Sequence, residues 1–94
     1  MDKKKLRYAI LKEIDKDNKI LSNENFGVSY KDFYNQVVFL DREGYITKPI
    51  YGSNKIFSFA TCVITEKGED YLESNSTLSK SYAVAKEIRD WIKP

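Results

Sequence analysis

Three features of the sequence predict an α+β fold. Phe33–Ile46 reads as a helix that stops at Gly44 and passes straight into a strand. Two β-rich stretches, Tyr45–Ile50 and Lys55–Phe59, flank the turn formers Tyr51-Gly52-Ser53-Asn54. Ile64–Gly68 then reads as a strand closing onto another helix. Helix, hairpin and helix in that order build the core of a winged helix-turn-helix, an arrangement used mostly to place a helix in a DNA groove. Residues 1–94 are expected to form one such domain: a three-helix core, a β-hairpin wing and two additional C-terminal helices, with 77–94 as a packing or dimerisation helix.

The length supports one small domain. A hydrophobic fraction of 41% is enough for a single core. A chain of this size buries only about 60–70% of the surface it exposes when unfolded, so large rings are an efficient filling. Tyr and Phe supply them, with 7 and 5 copies.

The first helix starts at Asp2, a plausible N-cap, and runs to about Lys16. Leu6, Ala9, Ile10 and Ile14 form its apolar stripe. Ile20-Leu21 is a candidate stub of strand that would pair with the hairpin. Ser22–Phe26 has room for one helical turn, and Gly27 fits the C′ position after it. Ser29 caps the next helix, with Asp32 at capping-box spacing and Val28 and Phe33 at staple positions.

On the helix 29–43, Tyr30, Phe33, Val37 and Leu40 fall in one sector of about 80°. Lys31, Asn35, Val38 and Arg42 share a different sector, and Phe39 lies roughly opposite the first. Pro49 cannot donate to a ladder, so its nitrogen is expected to face outward on an edge. Thr65 caps a helix over Glu66–Glu73, with acids in the first turn as the dipole prefers. Ser74–Ser79 reads as a polar linker. The last helix, about Lys80–Ile92, carries Val84, Ile88, Trp91 and Ile92 on one side and must bury them in the domain or against a second copy.

Catalysis finds little support, and a non-enzyme is expected. The sequence has no histidine, so the commonest general base and zinc ligand is missing, and a metal site is not expected. The single cysteine, Cys62, lies in the apolar run Ala60–Ile64 and reads as a small buried hydrophobe; no intrachain disulfide is possible. The four glycines are scattered at turns and make no phosphate-binding or dinucleotide fingerprint, so no cofactor is expected. No run of about 18 apolar residues is present, and no apolar segment follows the basic N-terminus. A soluble cytoplasmic protein without a membrane partner is expected.

Double-stranded DNA is the expected partner. The net charge of +2 is too small to argue for it, but the distribution does more. Lys31 and Asn35 lie near the start of the candidate recognition helix, within reach of base edges or phosphate, and Arg42 suits the backbone. Between Gly44 and Thr65 the only charged residues are Lys48 and Lys55, which flank Ser53 and Asn54 at the tip. The expected DNA-binding set is therefore Lys31, Asn35, Arg42, Lys48, Asn54 and Lys55. Lys3, Lys4, Lys5 and Arg7 can add phosphate contacts. The opposing acids on the same helix are Asp32, Asp41 and Glu43.

The segments LRYAILKEID (Leu6–Asp15), GVS (Gly27–Ser29), FLDREGYI (Phe39–Ile46), ITEKG (Ile64–Gly68) and AKEIRDWI (Ala85–Ile92) together resemble the YjcQ family. The resemblance spans nearly the whole chain. It implies a small winged-helix protein of Gram-positive bacteria and their phages or prophages, and with it DNA binding; a phage- or prophage-associated transcriptional regulator is the expected function. The GYI and TEKG pieces alone also occur in MarR- and PadR-like regulators. Compared with the MarR-type pattern, the second helix here is cut to about one turn and the long dimerisation helices are missing. The rival expectation is a non-catalytic protein-interaction module on the same scaffold, marked by an exposed Phe39, Tyr51 or Trp91.

Overall fold

A computed structural model describes residues 2–53 and 55–79. Over these described residues it is α+β: three α-helices, two short 3-10 turns and one two-stranded antiparallel sheet. Helix α1 spans Lys3–Asp15, α2 Tyr30–Arg42 and α3 Glu66–Ser74; strands β1 (Ile50–Gly52) and β2 (Lys55–Ser58) form a hairpin between α2 and α3. The helix expected over Lys80–Ile92, with Ile88 and Trp91, lies outside the described residues.

Local chemistry sets the helix ends. Asp2 accepts from the Lys5 amide at 2.9 Å, Ser29 from Asp32 at 3.1 Å and Thr65 from Gly68 at 3.1 Å. Each bond satisfies an amide that would otherwise be orphaned in a first turn. Helix α2 stops in a Schellman turn: Gly44 takes φ +81°, its amide reaches Asp41 O at 3.0 Å, and the Tyr45 amide reaches Leu40 O at 2.9 Å. Helix α1 ends with the same two bonds, Asp17 to Ile14 and Asn18 to Glu13, but Asp17 occupies the left-handed position at φ +62°.

The core joins α1 to α2 and closes over them from the hairpin side. Leu6, Ile10, Leu11 and Ile14 of α1 are buried with Phe33, Val37 and Leu40 of α2, Ile46, Phe59, Cys62 and Leu72. Phe33 is its hub, with ring centroids 5.9 Å from Phe26 and 6.1 Å from Phe59. Helix α1 packs against both α2 and α3, which explains why Tyr8, Leu11 and Glu13 are buried beyond the expected stripe.

The hairpin departs from expectation in three ways. Pairing comes in two separate stretches. Tyr45, Ile46 and Thr47 face Val63, Ile64 and Thr65 at the base, through Thr65 N to Tyr45 O at 3.0 Å, Thr47 N to Val63 O at 2.8 Å and the Ile46–Ile64 bridge. The ladder then breaks and resumes at β1 and β2, so Ile50–Gly52 is the first strand of the tip where Tyr51-Gly52 were expected in the turn. Pro49 is buried in the gap, where its missing amide leaves no donor unpaired, and does not stand on a solvent edge. Opposite it, Phe59 and Cys62 turn inward from a tight turn closed by Cys62 N to Phe59 O at 2.9 Å.

Ile20-Leu21 forms no strand. Ile20 is 86% exposed, and Lys19 ties this loop to the hairpin instead, donating to Cys62 O at 2.7 Å. Ser74–Ser79 is more than a linker: Ser74 ends α3, Ser76–Leu78 form a 3-10 turn and Leu78 packs on the core.

Candidate nucleic-acid interface

Helix α2 presents its outer face because its inner one is committed. Phe33, Gln36, Val37 and Leu40 are buried. Lys31, Asn35 and Arg42 are exposed and Val38 is half-buried, and at about 100° per residue they occupy a sector of about 60° opposite the core. Asp32 and Asp41 fall about 60° to either side of it. Among the described residues, Lys31, Asn35 and Arg42 have no side-chain hydrogen bond or ion pair, so their donors are free for a ligand.

The turn before α2 fixes how it projects. Asn23–Phe26 form a 3-10 turn, Ser22 donates its amide to Asn25 Oδ1 at 2.7 Å while its carbonyl accepts from the Asn25 amide at 3.2 Å, and Gly27 turns the chain at φ +66°. Asn23 Nδ2 donates to Val28 O at 2.9 Å across the junction. One short turn, a three-residue corner and α2 thus follow each other as the sequence predicts.

Lys48 and Lys55 are exposed on the hairpin, and Lys48 Nζ stands 5.7 Å from the centre of the Tyr51 ring. Tyr51 in turn leans on α2. Its hydroxyl donates to Asp41 Oδ2 at 2.9 Å, and its ring meets Tyr34 edge-on at 6.3 Å. Burial, then the bond and charge of Asp41, push the Tyr51 hydroxyl well above the ordinary phenol range, so it stays a donor at neutral pH. Asp41 is thereby held on the hairpin side of α2. The structure brings Lys48 to the ring of Tyr51, which is itself bonded to Asp41 of α2, and puts Lys55 at the hairpin turn, paired with Gly52. Asn54 lies outside the described residues.

Of the N-terminal basic cluster, Lys3, Lys4 and Lys5 are exposed, with Lys5 3.9 Å from Asp2. Arg7 is not available to phosphate in the way expected. Its Nε donates to buried Gln36 Oε1 at 2.6 Å and its guanidinium lies 3.8 Å over the Phe39 ring, docking α1 on α2. Its position one residue after Leu6, at the margin of the apolar stripe, was the available signal. Tyr30 shares a helical sector with Phe33, Val37 and Leu40 but is 40% exposed; its hydroxyl accepts from the Ile56 amide of the hairpin at 2.8 Å. Tyr30 and Tyr34, stacked at 6.2 Å, are four apart on one helix face, and that spacing was a readable sign of a second, hairpin-facing surface.

Cys62 is 1% exposed and its burial pushes the thiol up to about 11, so the neutral form is held. Among the described residues no cluster of three or more His, Cys, Asp or Glu can hold a metal ion, and no helix is long and apolar enough to cross a membrane.

The sequence model of the YjcQ protein family matches residues 3–91. A Bacillus subtilis (strain 168) protein named "Uncharacterized protein YjcQ" is 49% identical over 94 residues, covering 99% of this chain and 100% of the relative. No solved structure matches the chain.

Proposed function

The chain belongs to the YjcQ family, and we propose that it is a winged-helix protein that binds double-stranded DNA. It acts as a transcriptional regulator without catalysis or a cofactor. Helix α2 enters the major groove, with Lys31 and Asn35 toward base edges and Arg42 toward the backbone. The hairpin is the wing, and Lys48, Asn54 and Lys55 reach the flanking phosphates. The observation that supports this most is the outward sector of α2, where Lys31, Asn35 and Arg42 are exposed and unengaged while Asp41 is held aside by Tyr51. The phage or prophage setting rests on the family resemblance alone, and the regulatory role follows from DNA binding by a small non-catalytic domain. A homodimer through the C-terminal helix would double the contacts of a weak single site.

The interaction-module reading is weaker on two of its three marks. Phe39 lies under Arg7 and against Tyr45, and Tyr51 is held by α2; neither ring is freely exposed. Trp91, the third, lies outside the described residues. In its favour stand the exposed apolar side chains of Ile20 and Val63. Mapping amide chemical shifts while a short duplex is titrated separates the two. DNA binding moves Lys31, Asn35, Arg42 and the 48–55 hairpin. Unmoved signals there, with or without shifts elsewhere, oppose it.

A further inference from the structure

The hairpin tip is poorly connected to the body through its own strands. The base pairing at Tyr45–Thr47 and the tip pairing at Ile50–Gly52 are separated by Lys48-Pro49 on one strand and by the Phe59–Cys62 turn on the other. The register also shifts between Ile50 and Tyr51. Pro49 and Phe59 are buried at that root and fix where the tip starts, but a two-stranded ribbon with its ladder interrupted there transmits little of the body's direction through its own strands.

Ile56 packs on the core, and the polar fastenings of the tip come from α2. Tyr51 and Ile56 are partners on one rung of the tip ladder. Tyr51 donates its hydroxyl to Asp41 Oδ2 at 2.9 Å, and Ile56 donates its amide to the Tyr30 hydroxyl at 2.8 Å. Positions 30 and 41 are about 16 Å apart along the helix axis. One rung is therefore fastened to two residues about three turns apart on α2, one for each strand. Tyr34 fills the space between, stacked on Tyr30 and edge-on to Tyr51. A single fastening would leave a swivel; two at this separation fix a direction.

We propose that Tyr30, Tyr34, Asp41 and Tyr51 form a latch whose role is to set the orientation of the hairpin relative to the outward face of α2, so that Lys48 and Lys55 meet DNA together with Lys31 and Arg42. These are positioning residues, acting through the hairpin they hold. Asp41, an acid beside a basic face, has its place in this arrangement: it is the acceptor of the latch. The part concerning DNA rests on the proposed function; the part concerning the hairpin does not.

The test uses the full chain carrying Tyr30→Phe and Tyr51→Phe together, which keeps both rings and removes both hydroxyls. Residual dipolar couplings, measured without DNA, read the orientation directly. In the wild type, couplings of residues 50–53 and 55–58 should fit the alignment frame of the helices at full amplitude. In the double variant they should shrink while those of the helices stay unchanged. Asp41→Asn, whose amide oxygen still accepts, should keep the full amplitude and Asp41→Ala should not. Full-amplitude couplings in the Tyr30→Phe/Tyr51→Phe protein overturn the latch.

A second arm measures duplex binding against salt, with and without Lys48→Ala/Lys55→Ala, in both backgrounds. In the wild type the lysine pair should account for about 1.8 units of the log–log salt slope. In the latch variant its removal should leave the slope unchanged. An equal loss in both backgrounds contradicts the positioning role. If the wild type binds no duplex, the proposed function fails and the dipolar couplings alone decide the latch.

Discussion

Gly68 in α3 lies directly against the backbone carbonyl of Tyr45. A Cβ on Gly68 would overlap that oxygen and crowd Ile64 Cγ1 at 2.6 Å. The carbonyl has little freedom to move: it accepts from Thr65 N at 3.0 Å, and the Tyr45 amide closes the Schellman turn of α2. Glycine is therefore required here for space, since this residue has no positive φ.

Gly68→Ala should consequently destabilise the protein by about 1–3 kcal/mol, the usual cost of overpacking. For a chain of this size each kcal/mol corresponds to a fall of about 4–8 °C in Tm. A thermal melt followed by circular dichroism measures it. An unchanged Tm would mean that α3 and residue 45 are not in contact.

Phe33→Ala removes the ring between Phe26 and Phe59 at the centre of the core. The expected loss is about 3–5 kcal/mol. A domain has about 5–15 kcal/mol in total, so the variant should be marginal. Urea unfolding gives the difference, and a loss below about 1 kcal/mol would contradict the buried position of this ring.

The parts of the fold written in local chemistry were legible in the sequence. Ser29, Thr65, Gly27 and Gly44 fixed helix ends within a residue, because caps and left-handed turns depend on neighbours three or four positions away. Where the strands pair was not legible. The ladder breaks at Pro49 because Phe59 and Cys62 turn into a core whose shape only the tertiary structure defines. The same holds within the candidate site. The outward sector of Lys31, Asn35 and Arg42 followed from helical periodicity alone. The contacts of Arg7 and Tyr30 were not legible because their partners, Gln36, Phe39 and Ile56, are distant in sequence. The Asp41–Tyr51 bond crosses the helix–hairpin turn and has no sequence signature.

Asp17 holds a left-handed conformation that costs an L-residue about 1–2 kcal/mol and glycine nothing. Asp17→Gly relieves that strain, loses the exposed 3.0 Å contact with Lys19, and gives the unfolded chain more freedom. The net change should be a gain of up to about 1 kcal/mol, read as a higher urea midpoint. A lower midpoint would show that the Asp17 side chain contributes more than its backbone costs.

Stability should fall on the alkaline side. Burial raises the thiol of Cys62 from 9.0 to about 11 and also raises the hydroxyls of Tyr51 and Tyr71. Between pH 9 and 11 the unfolded chain therefore releases a Cys62 proton that the folded chain keeps. The contribution is fully present below pH 9 and is lost as pH rises toward 11. The urea midpoint should decline over this window, and less steeply in Cys62→Ala. The same slope in both proteins would remove Cys62 as a cause.

The central claim is that the outer face of α2 and the hairpin bind duplex DNA, and fluorescence anisotropy with a random duplex across a salt series tests it most directly. About four phosphate contacts, from Lys31, Arg42, Lys48 and Lys55, should give micromolar binding at low salt and a log–log slope of about −3.6. Lys48→Ala or Lys55→Ala should weaken all sequences alike and flatten the slope by about one unit, while Asn35→Ala should reduce only the preference among sequences. No binding at low salt with protein at about a millimolar, weaker than ordinary non-specific association, would contradict the account.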